Sequence, residues 1–172
     1  MAETRTAVWT RRCAIGAFAV ALPTALWRVL PGLGVTLGTP ADWREFQQLP
    51  GSGTWYVLGL SGVQLLAAAC CLLLAVPVER VVPPRTSARL GRAIPTAIGV
   101  AGLTGAGVLL VLVVMSIIAW EKVDPFAGET YGGWAWLSLA CYLAAALWPF
   151  LLAPASVGYL LQNRGHRRAL RR

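Results

Sequence analysis

Few side chains in this sequence can do chemistry, and the first of them is an arginine in apolar surroundings. Arg28 stands in "TALWRVLPGLG", Thr24 to Gly34. A permanent cation there could pair with a carboxylate, reach the membrane surface, or hold an anionic solute. Gln64 is the one strongly polar residue in the middle of another apolar run. Its amide could join two helices or line a solute path. Glu79, Glu121 and Asp124 flank apolar runs, and Asp42, Glu45 and Glu129 lie in the outer connections. Asp42 and Glu45 stand three apart, a spacing that suits a catalytic pair only inside a pocket.

The rest of the reactive inventory is bland. His166 sits between basic residues of the C-terminal tail, without the pocket a general base needs. Cys13, Cys70, Cys71 and Cys141 fall in apolar runs and form no C-x-x-C pair, so they read as buried free thiols. No cluster has metal-ligand spacing. "GLGVTLG" lacks the lysine and the strand–helix context of a phosphate loop. The sequence therefore predicts no catalytic residue, no metal and no cofactor.

What must position these residues is lipid-facing helix. Of the 172 residues 57% are hydrophobic and 13% charged, about half the charge of an ordinary soluble domain. Continuous apolar runs cover about 13–30, 55–76, 94–120 and 134–161. Each meets the roughly 20 residues a membrane helix requires. The runs do not alternate as barrel strands would. The expected fold is an all-α membrane protein, a single four-transmembrane-helix bundle over 1–172. An uncleaved first helix fits better than a signal peptide, because its apolar run continues past every small-residue site.

The net charge of +8 is distributed by side. Three arginines precede the first run, four lie in the inner loop 77–93, and five lie in the basic tail 162–172. The outer connections, 31–54 and 121–133, hold Arg44 and Lys122, and Arg28 at the end of the first run makes the third positive residue on that side. Positive residues near span ends stay cytoplasmic, which predicts both termini inside a bacterial cell membrane. Anionic lipid at the cytoplasmic face accounts for the basic segments, and no nucleic-acid partner is expected.

Other features concern packing. "PADWREFQQL" predicts a short amphipathic helix in the first outer loop, with Trp43, Phe46 and Leu49 as its stripe. Trp27, Trp55, Trp120, Trp134 and Trp136 occupy outer span ends, as interfacial anchors do. Pro23 predicts a kink in the first helix. Gly99, Gly102 and Gly105 recur every three residues, which predicts close packing of the third helix, at the bundle centre or against a second copy.

"LPTALWRVLPGLGV", "GTWYVLGLS", "VPVERVVPP" and "GRAIPTAIGVAG" resemble a group of small four-helix membrane proteins from actinobacteria. In that group the inner loop often runs tryptophan-glycine-glutamate, then prolines and a glycine-arginine before the third helix. Here Pro77 and Val78 replace the first two, Glu79 is kept, and Gly91, Arg92 and Pro95 match. The resemblance covers most of the chain, implies the four-span fold and carries no activity. Two functions are compatible with these residues. One is a non-enzymatic accessory or scaffold subunit that packs against itself or a membrane partner. The other is a small transporter or channel for a small, anionic solute, using Arg28 and Gln64.

Overall fold

The structure, a computed structural model, describes residues 2–77, 81, 90–127 and 132–169. Among these there is helix and no strand. Four stretches are long and apolar enough to cross a membrane: Ala7–Gly32, Ser52–Ala75, Ala93–Ile118 and Gly133–Asn163. The inner loop with Glu79, and Glu129 in the second outer loop, lie outside the described residues.

Helix α1 covers Ala2–Gly32 and runs through Pro23 and Pro31 without a break in assignment. Gly34 ends it in the left-handed region, φ +89°, with its N–H on the Pro31 carbonyl at 2.9 Å, the usual glycine termination. Helix α2 is the expected short segment, Ala41–Phe46, opened by Pro40. Its expected stripe does not persist: Leu49 falls in the following turn and is buried, while Phe46 on the helix is 74% exposed.

Helix α3, Ser52–Cys71, tightens into a 3-10 turn at Leu72–Ala75. Val76 is extended (φ −86°, ψ 130°) because Pro77 follows it and disfavours helical backbone at the preceding residue. The same rule acts after α4, Leu90–Ile118, and the single turn α5, Trp120–Val123. There Asp124 is extended (φ −85°, ψ 119°) ahead of Pro125.

The fourth span is two helices rather than one. Helix α6 covers Gly133–Ala146 and α7 covers Trp148–Ala169, separated at Leu147. Pro149 explains the division: it has no N–H for the Ala145 carbonyl, and proline is tolerated in a helix's first turn. The basic tail is helical as far as Ala169.

The chain's contacts fall into two units, and each draws on all four spans. One comprises Met1–Phe18, Ala69–Leu110 and Trp148–Arg172; the other comprises Ala19–Ala68 and Val111–Leu147. In the first unit, Gly99 and Gly102 of α4 lie against α7. A Cβ on Gly99 would stand 2.5 Å from Leu160, and one on Gly102 would collide with Ser156. Gly105 is looser, 3.8 Å from Leu152. On the other face of α7, Gly158 lies against Thr10 of α1.

The second unit has its core at Trp27, Phe126, Ala135 and Cys141, with Leu37 and Tyr142 packed against it. The first outer loop is fastened there. Gly38, at φ +71°, leaves room for Trp134, which a Cβ would meet at 3.0 Å. Trp27 therefore belongs to the interior: it is 5% exposed and stacks at 6.5 Å on Trp134. Trp55, Trp134 and Trp136 remain exposed, as an anchoring belt requires.

The third span is not the central one. Only 11% of α4's apolar window is buried, against 39% for α1. Thr10, Ala14, Ala17, Ala21, Thr24 and Ala25 form a buried stripe along α1. Val108, Val111, Leu112, Met115 and Ile118 of α4 point outward, because bulky apolar side chains lose nothing by facing lipid.

Close contact at the glycines has a direct consequence. Gly102→Val and Gly158→Val should each lower stability by about 1–3 kcal/mol through overpacking. Gly107→Ala, where nothing lies within 4 Å, should be neutral. Melting followed by size-exclusion chromatography in detergent checks this, and equal melts for the three variants would refute the packing assignment.

Candidate functional site

The second unit gathers the polar residues of three spans around Arg28. On α1, Thr24 and Arg28 are four residues apart and share a face. On α3, Ser61 and Gln64 share a face, and on α6 Ser138, Cys141 and Tyr142 do the same. Each face also carries buried small residues: Ala21 and Ala25, Ala68, and Ala135.

Arg28 is half-buried, one turn before the end of its span. Its Nη1 donates to Gln64 Oε1 at 3.1 Å. Gln64 Nε2 in turn donates to the Ala21 carbonyl at 2.8 Å. Ala21 is seven residues nearer the N-terminus than Arg28, about 10 Å along the helix. The arginine side chain thus runs back along α1 rather than outward past its end. Helical side chains lean toward their own N-terminus, and here that lean opposes snorkelling. Of the roles open to Arg28, reaching the nearer surface is the one this direction disfavours.

The guanidinium also lies 5.6 Å from the ring centroid of Tyr142, within cation–π range. Tyr142 is held in its turn by an edge contact from Trp120, 5.8 Å at 80°, and its hydroxyl donates to the Val123 carbonyl at 3.4 Å. Among the described residues Arg28's partners are an amide and an aromatic face, not a carboxylate. Beside this, Thr24 Oγ1 donates to the Cys141 carbonyl at 2.6 Å, joining α1 directly to α6.

The acids are elsewhere. Asp42, Glu45 and Glu121 are exposed. Asp124 is buried, 1% exposed, and its Oδ1 accepts the Phe126 N–H at 3.3 Å. Asp42 and Glu45 therefore have no pocket in which to act as a pair. None of the four cysteines is in a disulfide; Cys70 is exposed and the others are buried. Among the described residues no three of His, Cys, Asp and Glu come together as a metal site would need. An open cavity of about 350 Å³ lies by Gly38, Pro40, Phe126 and Gly132–Ala135. Among the described residues no charged side chain lines it.

The first unit carries a second, neutral set. Gln162 Nε2 donates to Thr10 Oγ1 at 2.9 Å, and Asn163 Nδ2 reaches Thr96 Oγ1 at 3.4 Å. Ser156 Oγ bonds the Leu152 carbonyl of its own helix at 2.8 Å. These bonds fasten α7 to α1 and α4, and every member is uncharged.

Sequence reasoning named Arg28 and Gln64 but not their contact, and it missed Tyr142 and Thr24. The available signal was spacing: Thr24 precedes Arg28 by four residues, and Ser138 precedes Tyr142 by four. The Arg28–Gln64 bond should appear as a coupling of about 0.6–2 kcal/mol, the range for interhelical bonds in membranes. A double-mutant cycle with Arg28→Met and Gln64→Leu, read by unfolding in mixed micelles, measures it. Additive losses would show that the two residues act independently.

Comparison with known protein families, curated proteins and solved structures finds no match for the chain. The assignment that stands on the structure is a multi-pass membrane protein with four apolar spanning helices.

Proposed function

We propose that this is a non-enzymatic accessory or scaffold subunit of a bacterial cytoplasmic membrane, acting through helix packing. The observation that carries this reading is where its polar groups are spent. Arg28, Gln64, Thr24, Thr10, Gln162 and Asn163 all engage another helix of the same chain. Ionisable groups in spans otherwise mark relays and solute paths. Here Arg28 is joined through Gln64 to a backbone carbonyl of its own helix.

The partner surface is the outward face of α4. Ala97, Ala101, Thr104 and Gly107 are exposed along it, and small residues at such spacing admit another backbone. The partner is a second copy or another membrane protein. Twelve arginines flank the spans on one side, which supports an orientation with both termini in the cytoplasm, against anionic lipid.

Affinity purification from native membranes, with Ala101→Leu and Gly107→Leu as variants, tests the reading. A reproducible stoichiometric partner or a homodimer is expected, lost in the variants at unchanged expression. A wild-type protein recovered as a lone monomer would overturn it. Orientation has its own check. A cysteine placed at Ser52 in a chain cleared of its four thiols should react with an impermeant maleimide on intact cells. One placed at Arg89 should react only after permeabilisation, and the reverse pattern would invert the topology.

A further inference from the structure

A guanidinium has five N–H donors, and Arg28 has one recorded acceptor, Gln64 Oε1. Its other neighbour is the face of Tyr142, which attracts the cation but takes no in-plane N–H. The groups on the three facing helix surfaces are neutral: Thr24, Ser61, Gln64, Ser138, Cys141 and Tyr142. Of the described acids in this unit, Asp42, Glu45 and Glu121 are exposed, and Asp124 Oδ1 accepts the Phe126 N–H. Positive charge held in a span is costly without a counter-charge.

Two further groups share these surfaces without a partner. Ser61 is 1% exposed and Ser138 is fully buried, and neither hydroxyl has a hydrogen bond. Ser61 stands three residues before Gln64, and Ser138 four before Tyr142. Each therefore shares a helix face with a residue that touches the guanidinium. Buried hydroxyls are ordinarily satisfied. Two unsatisfied donors stand on the faces that hold a cation to which no described residue brings a carboxylate, and together they describe an acceptor-rich, negatively charged complement.

We propose that a small oxyanion, carboxylate or phosphate, binds at Arg28, with Ser61 and Ser138 as supplementary donors. Gln64, anchored on Ala21, takes one Nη1 N–H of the guanidinium, and the remaining donors are left for the ligand. Half-burial of Arg28 one turn from the span's end gives the ligand its approach. The source is either a soluble acid or the phosphate of a lipid headgroup. This site goes beyond the packing reading and does not depend on it, because it needs no protein partner.

The full-length protein in nanodiscs of pure phosphatidylcholine, titrated with acetate and with inorganic phosphate, gives the first arm. The second arm uses discs containing phosphatidylglycerol, with retained lipid counted by native mass spectrometry. Saturable binding of either soluble probe, weakened about tenfold or more in Arg28→Gln, identifies a soluble ligand; the loss is that of one charged hydrogen bond. Extra retained phosphatidylglycerol in wild type over Arg28→Gln identifies a headgroup. The arginines flanking the spans bind lipid equally in both proteins and cancel in that difference. No difference between the two proteins in either arm overturns the site. Should Arg28→Gln fail to fold, the double variant Ser61→Ala/Ser138→Ala decides: weaker binding in the responding arm is expected, and wild-type binding overturns the proposal.

Discussion

Close backbone approach along α1 is the constraint on which the other contacts depend. Lipid removes the hydrophobic drive for helix association, so helices meet through dispersion contacts and the occasional hydrogen bond. Both need short distances, and α1 supplies them with Thr10, Ala14, Ala17, Ala21, Thr24 and Ala25, all buried. Thr24 reaches the Cys141 carbonyl at 2.6 Å only because nothing larger than alanine separates the backbones there. Gln64 reaches the Ala21 carbonyl for the same reason. A leucine at position 21 would displace α3 and release the amide that holds Arg28.

The two units solve the same problem with different chemistry. In the first, glycines of α4 and α7 take neighbouring helices into contact, and neutral amides and hydroxyls tie the ends. In the second, aromatic rings and one cation do the joining. A neutral network is satisfied once its donors and acceptors match. A charged one also carries a net field, which hydrogen bonds to neutral groups leave in place. That difference separates a purely structural polar set from one that attracts a ligand.

Much of the fold was legible because lipid imposes a simple length rule. Four apolar runs became four spanning stretches, and Pro40 opened the short loop helix. The misreadings share a physical cause: composition locates a residue along its helix but does not say which way it faces. Gly99, Gly102 and Gly105 marked a packed face correctly enough, yet that face is narrow and the rest of α4 is exposed. The equally regular small residues of α1 passed as ordinary apolar sequence. Trp27 was placed with the anchors by its depth, whereas its orientation puts it in the core. Pro149 carried the signal for the break between α6 and α7, but membrane helices tolerate proline too often for it to be read alone.

Arg28 shows the same limit at the level of one side chain. Depth put its Cα near a surface, and from depth alone outward extension follows. The lean of helical side chains toward the N-terminus reverses that conclusion and takes the guanidinium to Gln64. Once there, the residue type matters more than the charge. A planar guanidinium can donate in its plane to the Gln64 amide while presenting its flat face to Tyr142. A lysine ammonium has no plane to divide between an acceptor and a ring, and it carries a tighter hydration shell that a half-buried site would have to strip. The geometry at this position therefore selects arginine rather than any cation.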